Sequence, residues 1–189
     1  MRLPLIKPAD LTPEQKPLYQ DMKTGIESSI KGFQAMHDDG TLIGTWNPWL
    51  HFPKIGGPYS NLVKALYAAP TLPKKAREVA VLATGAHFHS GYELYSHMLM
   101  AEQRGLDDNA IATIVAGQRP QTLKEDEGVA YDVASAALRG GVMPEPVYKR
   151  AVEQFGPIGA AKLLYFIGLY CMISITLNGF DVPVPETGD

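Results

Sequence analysis

The stretch AHFHSGYELYSHMLMAEQRGL, Ala86 to Leu106, holds three of the five histidines in this chain. His87, His89 and His97 are close in sequence, Glu93 lies between the last two, and Glu78 lies upstream. If Glu78 to Met100 ran as one helix, His89, Glu93 and His97 would sit at roughly 20°, 60° and 100° from Glu78, on a shared face. Glu93 and His97 are an i,i+4 pair and meet on a helix surface in any case. Gly91 favours a break near His89–Ser90, which would uncouple the angles across it.

Three chemistries fit these residues. Ser90 and Glu93 have the spacing of a capping box, which would leave His97 a satisfied core histidine. Alternatively, a carboxylate beside the imidazole tunes it toward neutral pH, and a second carboxylate completes an acid–base set. The third reading is a metal site built from His87, His89 and His97. Residues two apart on a helix face different ways, and no zinc spacing is matched, so no metal is expected.

The elements that would position this set read as helices separated by Pro and Gly. Thr12-Pro13 is a helix start, with Thr12 as N-cap, running to about Gly32. HDDGTLIGTWNPWLHFPKIGGPYS reads as a loop that folds over something apolar, because it contains Trp46, Trp49 and Phe52. Trp46, Trp49 and His51 are candidates for a substrate lid or for packing. Helices are expected over Tyr59–Ala69, from Pro73 through KKAREVAVLATGA, and from Ser90 to Arg104 with Gly105 as a left-handed stop. Further helices follow over Asp108–Val115 with Asp107-Asp108 capping, over Thr122–Leu138, Glu145–Phe155 and Ile158–Leu177. The tail DVPVPETGD should be extended. No alternating strand pattern appears. The expectation is one all-α domain over 1–189, with about eight helices.

Lys74, Lys75 and Arg77 read as a solvated face, with Arg77 pointing away from Glu78. Tyr165, Phe166, Tyr170 and Met172 read as core or subunit contacts on the last helix. Leu163 to Phe180 is uncharged, but its polar residues and glycines favour a buried or interface helix over a membrane span. The formal net charge of −3 and the absence of a basic, aromatic-interleaved run argue against a nucleic-acid partner. Cys171 is the single cysteine and reads as a small buried hydrophobe. The N-terminus lacks the apolar core of a signal peptide, so a cytoplasmic location is expected.

Several pieces together resemble the carboxymuconolactone decarboxylase family, which includes the alkylhydroperoxidase D-like proteins. They are Arg77-Glu78, Tyr92-Glu93-Leu94-Tyr95-Ser96-His97, Ala101-Glu102-x-x-Gly105-Leu106 and Ile111-Ala112-x-Ile114. They are flanked by GTWNPWLHFPKIG and LYCMISITLNGFDVPVPE, and together span about Leu42 to Glu186. The resemblance implies an alkylhydroperoxidase D-like bundle assembling as a homotrimer or hexamer. In the peroxidase branch a Cys-x-x-Cys precedes the histidine, and its two positions fall on Ser90 and Glu93 here. Peroxide reduction by that route needs a low-pKa thiolate and a resolving partner, so the dithiol chemistry should be lost. The decarboxylase-like branch implies a cofactor-free acid–base enzyme acting on a small lactone or aromatic-derived compound. His97 would be its general acid–base, oriented by Glu93, with Glu78 as a second proton carrier. Trp46, Trp49, His51, His89, Ser90 and Tyr92 would contact the substrate. An antioxidant enzyme using an external thiol, or a non-catalytic binding protein on the same scaffold, remain the alternatives.

Overall fold

The computed structural model describes residues 1–68 and 71–186. Among them lie a 3-10 turn at Pro8–Asp10 and helices α1 (Lys16–Ser29), α2 (Trp46–His51), α3 (Pro53–Ala68) and α4 (Lys74–Phe88). Helices α5 (Gly91–Gln103), α6 (Asp108–Val115), α7 (Glu125–Leu138) and α8 (Glu145–Gly179) follow. The described residues form no strand, only an isolated antiparallel bridge between Met36 and Leu42, so the chain is all-α as its periodicity indicates.

The punctuation residues act where the sequence places them. Thr12 and Gln15 cap each other reciprocally, with Gln15 N donating to Thr12 Oγ1 at 3.3 Å and Thr12 N donating to Gln15 Oε1 at 3.0 Å. The regular helix then starts at Lys16 and ends at Ser29, short of Gly32. Asp107 caps α6 by accepting from Ala110 N at 3.1 Å, and Gly105 ends α5 in the left-handed region at φ 74°. Within α8, Gly156 breaks the helical path at φ 70°, ψ 169°, at the junction expected between Phe155 and Ile158.

Two expectations need correction. The tryptophan-bearing segment is not a continuous loop, because Trp46–His51 forms α2. Helix α3 begins at Pro53 and so absorbs the Gly-Gly-Pro run read as part of that loop. Gly56 permits this, since a Cβ there would stand 2.3 Å from the carbonyl oxygen of Trp49. The expected end of this helix at Ala69 lies outside the described residues, as do the last three residues of the tail.

Helix α4 is the structural centre. Every residue from Ala76 to Ala86 is buried, and the helix packs against α5, α6, α7 and α8. A helix apolar on nearly all sides has to be surrounded. The main core gathers Val79, Leu82, Ile114, Leu163 and Phe166 around it. A second core, with Leu18, Met22, Leu42, Trp49 and Leu50, ties α1 and α2 together. Trp46 and Tyr59 pack against both cores and mark the seam between them. Helix α8 is long and apolar enough to cross a bilayer by length and composition, yet 56% of its most apolar window is buried within the molecule. Phe166 and Tyr170 face inward, while Tyr165 and Met172 are exposed.

Gly44 fixes one wall of the seam. It adopts φ 60°, and a Cβ there would lie 1.9 Å from Cζ of Tyr92. Gly44→Ala should therefore destabilise the protein by about 1–3 kcal/mol, through strain and displacement of the Tyr92 ring. Urea unfolding of the variant checks this.

Candidate functional site

Helices α4 and α5 are separate, not one rod. His89 ends α4 in the left-handed conformation, at φ 49° and ψ 41°, and Ser90 is the extended N-cap of α5. Glu78 therefore meets His97 across a helix pair, and the single-helix face computed from 3.6 residues per turn does not form. Gly85 lets the two helices approach, since a Cβ there would stand 3.2 Å from Cδ2 of Leu94 and 3.4 Å from Cγ of Glu93.

Glu78 is fully buried and lies at the centre of the charged set. His97 Nδ1–H donates to Glu78 Oε2 at 2.7 Å, the length of a charge-assisted bond. Arg77 Nε donates to Glu78 Oε1 at 3.4 Å, and the Arg104 guanidinium pairs with the same oxygen. Arg77 is itself buried, with its guanidinium carbon 4.4 Å from the centre of the Tyr67 ring and 5.6 Å from that of Phe166. Its expected solvated position is therefore wrong. Ring faces and a buried carboxylate together satisfy the guanidinium better than the first-turn position suggested.

On the other side of the imidazole, His97 Nε2 stands 3.2 Å from Glu93 Oε1. That contact is off the hydrogen-bonding direction, and Glu93 Oε1, although buried, has no hydrogen-bond partner among the described residues. The capping box does not form either: Ser90 makes no side-chain cap bond, and its buried hydroxyl also has no partner among the described residues. The Tyr170 ring packs edge-on against the imidazole, with centroids 5.0 Å apart.

Burial and charge divide the two carboxyls. Burial pushes Glu78 up, but the His97 charge and hydrogen bond, with Arg104 and Arg77, outweigh it and leave the carboxyl below its ordinary value. Burial raises Glu93 to about 7; His97 pulls it back only in part, and Glu78 adds to the rise. Burial lowers His97, yet Glu78 and Glu93 together hold it above the ordinary histidine value. The set thus combines a Glu78 held ionised at neutral pH, a His97 biased toward its protonated form and a Glu93 that titrates near pH 7. A pair of carboxyls driven apart in this way is the usual signature of acid–base assignments.

A cavity of about 330 Å³ opens at the seam and reaches Glu93 and His97. Phe33, Trp46, Tyr59 and Tyr92 give it aromatic walls, and Tyr67, Tyr170 and Arg104 also line it. Its more exposed lining includes Asp21, which accepts from Ser60 Oγ at 3.0 Å and pairs with Lys64.

The structure brings together only part of the expected set. Glu93, His97, Trp46 and Tyr92 line the cavity, and Glu78 sits behind His97. Trp49 does not line it: the indole stacks on Tyr59 at 4.2 Å within the second core. His51 lies away from it, with Nε2 2.8 Å from the carbonyl oxygen of Pro4. His89 is exposed at its helix end and Ser90 is buried, and neither is in the lining. His87 is also exposed, and among the described residues no three His, Cys, Asp or Glu side chains are grouped to hold a metal ion. Arg104 was missed, although it lies seven residues from His97, two turns along the same face. Tyr67, Tyr59 and Phe33 carried no comparable signal, and Tyr170 was read as packing alone.

The chain is similar in fold to the debrominase Bmp8. It superposes on a cysteine-to-alanine variant of that protein in complex with 2,3,4-tribromopyrrole, with TM-score 0.70, 13% identity, and coverage of 96% of this chain and 90% of that one. The apo form of Bmp8 gives the same TM-score of 0.70 and 13% identity, over 96% and 91% of the two chains. No family model matches the sequence. No curated protein matches it either.

Two outcomes test the electrostatics. Glu78→Ala should cost about 3–5 kcal/mol, because it leaves the buried Arg77 and the half-buried Arg104 without their counter-charge and takes from His97 the carboxylate it donates to. Denaturant unfolding measures that loss. For Glu93 the sign is opposite. Its folded value is raised, so the native state holds a proton that the unfolded chain releases between about pH 4.5 and 7, and stability falls over that range. Glu93→Gln should therefore stabilise the protein at pH 8 by on the order of 2 kcal/mol, with the gain vanishing below about pH 4.5. Thermal unfolding across pH checks both ends.

Proposed function

We propose that the protein is an acid–base enzyme that moves a proton on a small, largely apolar ring compound. The observation that carries this reading is Glu93 Oε1: a buried carboxyl oxygen with no hydrogen-bond partner among the described residues, on a carboxyl that lines a cavity of about 330 Å³. A carboxyl poised near pH 7 is matched to proton exchange at neutral pH.

This assigns the roles differently from the expectation drawn from sequence. Glu93 exchanges the proton with substrate. His97, held by Glu78 through the 2.7 Å bond, stabilises the Glu93 carboxylate and relays charge. Glu78, paired with Arg77 and Arg104, orients His97 and favours its protonated form. The aromatic walls suit a planar, uncharged ring better than a polycarboxylate. The resemblance to the carboxymuconolactone decarboxylase family points to a lactone or other aromatic-derived compound, with decarboxylation as one outcome of the same proton chemistry. The fold it shares with a debrominase is consistent with an enzyme for small ring molecules.

Two other readings are weaker. A thiol peroxidase would need cysteines where Ser90 and Glu93 stand, and Cys171 lies outside the cavity lining with its thiol pushed up by burial. A non-catalytic scaffold would be expected to close and dry the network, whereas a cavity reaches it. Assembly as a homotrimer or hexamer in the cytoplasm belongs to the proposal, and the exposed Tyr165, Met172 and Ile175 on α8 offer apolar surface for it. Sedimentation should show a species larger than the monomer.

Ring lactones, cyclic ketones and aromatic acids should be screened for mass change and for deuterium uptake from D₂O. On the substrate so found, Glu93→Gln should lower kcat by about 10²- to 10⁴-fold with the fold intact. For proton abstraction, kcat/KM should rise with pH through about 7 as Glu93 ionises, and this step should vanish in the variant. Full turnover by folded Glu93→Gln and His97→Gln variants would remove the proposal.

A further inference from the structure

Two tyrosine hydroxyls meet beside the carboxylate–imidazole cluster. Tyr67 on α3 and Tyr170 on α8 bring their oxygens within 2.6 Å, and both residues line the cavity. Neither hydroxyl has another hydrogen-bond partner among the described residues. Each carries one hydrogen, and the bond between them uses one of the two. The second is left to be donated outside the pair.

The surroundings say what would accept it. Burial holds Tyr67 up at about 12 and Tyr170 well above its ordinary value, so both keep their protons and act as donors. The nearby charges are mixed: His97, edge-on to Tyr170 at 5.0 Å, Arg77 over the Tyr67 ring at 4.4 Å, and Arg104 in the cavity lining are basic, while Glu78 and Glu93 push the Tyr170 hydroxyl up. Glu78 answers the basic groups in part, and Glu93 is the remaining carboxyl. A neutral donor pair on a cavity wall, with basic groups beside it, can hold an oxygen that becomes negative during reaction.

We propose that Tyr67 and Tyr170 form an oxyanion site, in which Tyr170 donates to the carbonyl or phenolic oxygen of a planar ring substrate and Tyr67 donates to Tyr170. The proposal rests on the acid–base reading above and names its substrate class: a ring carbonyl compound with an acidic neighbouring C–H, or the corresponding enol or phenol. The Glu93 carboxylate takes the proton from the carbon next to the carbonyl. The C–H electron pair becomes the C=C bond, the carbonyl π pair moves to oxygen, and the Tyr170 hydroxyl receives that charge. Glu93 then returns the proton to carbon, at the same or a conjugated position, so nothing is oxidised and no co-reactant is consumed.

The test uses 4-nitrophenol, whose ionised and neutral forms absorb differently, and 4-nitroanisole, the same ring without an ionisable hydroxyl. The unaltered protein should bind 4-nitrophenol saturably as the phenolate. Tyr170→Phe should weaken that binding about tenfold or more, Tyr67→Phe by a few-fold, and neither should change 4-nitroanisole binding, because both rings are retained. Equal phenolate binding by the Tyr67→Phe/Tyr170→Phe double variant and the unaltered protein would overturn the inference, as would no phenolate binding by the unaltered protein. The two readings fail separately. Phenolate binding that depends on Tyr170, with turnover indifferent to Glu93→Gln, removes the acid–base proposal alone. Turnover lost in Glu93→Gln, with phenolate binding indifferent to Tyr170, removes the oxyanion site alone.

Discussion

A carboxylate with no solvent exposure governs this structure. Stripped of water, the ionised Glu78 would be too costly to keep, and the fold answers with His97, Arg77 and Arg104 around its two oxygens. Each partner comes with a packing obligation. His97 brings α5 against α4, Arg104 closes the end of α5, and Arg77 is pressed against Tyr67 and Phe166, which ties in α3 and α8. The charged cluster and the apolar core are therefore one construction: the rings that flank the guanidinium belong to the same packing that excludes water from the carboxylate.

The second carboxyl owes its character to what the first has taken. Glu78 occupies His97 Nδ1 and both arginines, so Glu93 is left with a poorly directed approach to Nε2 and an oxygen without a partner. Two neighbouring glutamates thereby acquire different characters, one held ionised and one titrating near neutral pH. Such asymmetry is what general acid–base chemistry requires, and it costs stability that a purely structural cluster would not give up. The cavity exists because two cores meet without merging. Helices α1 and α2 form a separate apolar body, and its seam with the α4-centred core is lined by Trp46, Tyr59 and Tyr92. The fold shared with a sequence-distant protein leaves the chemistry to these side chains, since one architecture can carry many reactions.

Local signals in the sequence were reliable where the physics is local. The i,i+4 pairing of Glu93 with His97, the Asp107 cap, the Gly105 stop and the break at Gly156 each depend on a few adjacent residues, and each is found. Helix α2 and the early start of α3 were hidden because glycine and proline normally interrupt a helix. Here Gly56 is required by a close backbone approach, which no neighbouring residue announces.

The amino-acid sequence alone determined an all-helical chain, the break between helices in the histidine-rich stretch, and the approach of Glu93 to His97 at its centre. These follow from periodicity and capping, which act over a turn or two. Tertiary structure decided that Glu78 faces His97 from a different helix, that Arg77 turns inward and Arg104 joins it, and that Trp49, His51, His89 and Ser90 stand outside the cavity. It also decided that Tyr67 and Tyr170, 103 positions apart, share a hydrogen bond. Those facts depend on which faces of distant helices meet, and a side chain's charge or solvation is set by neighbours that the linear order does not place beside it.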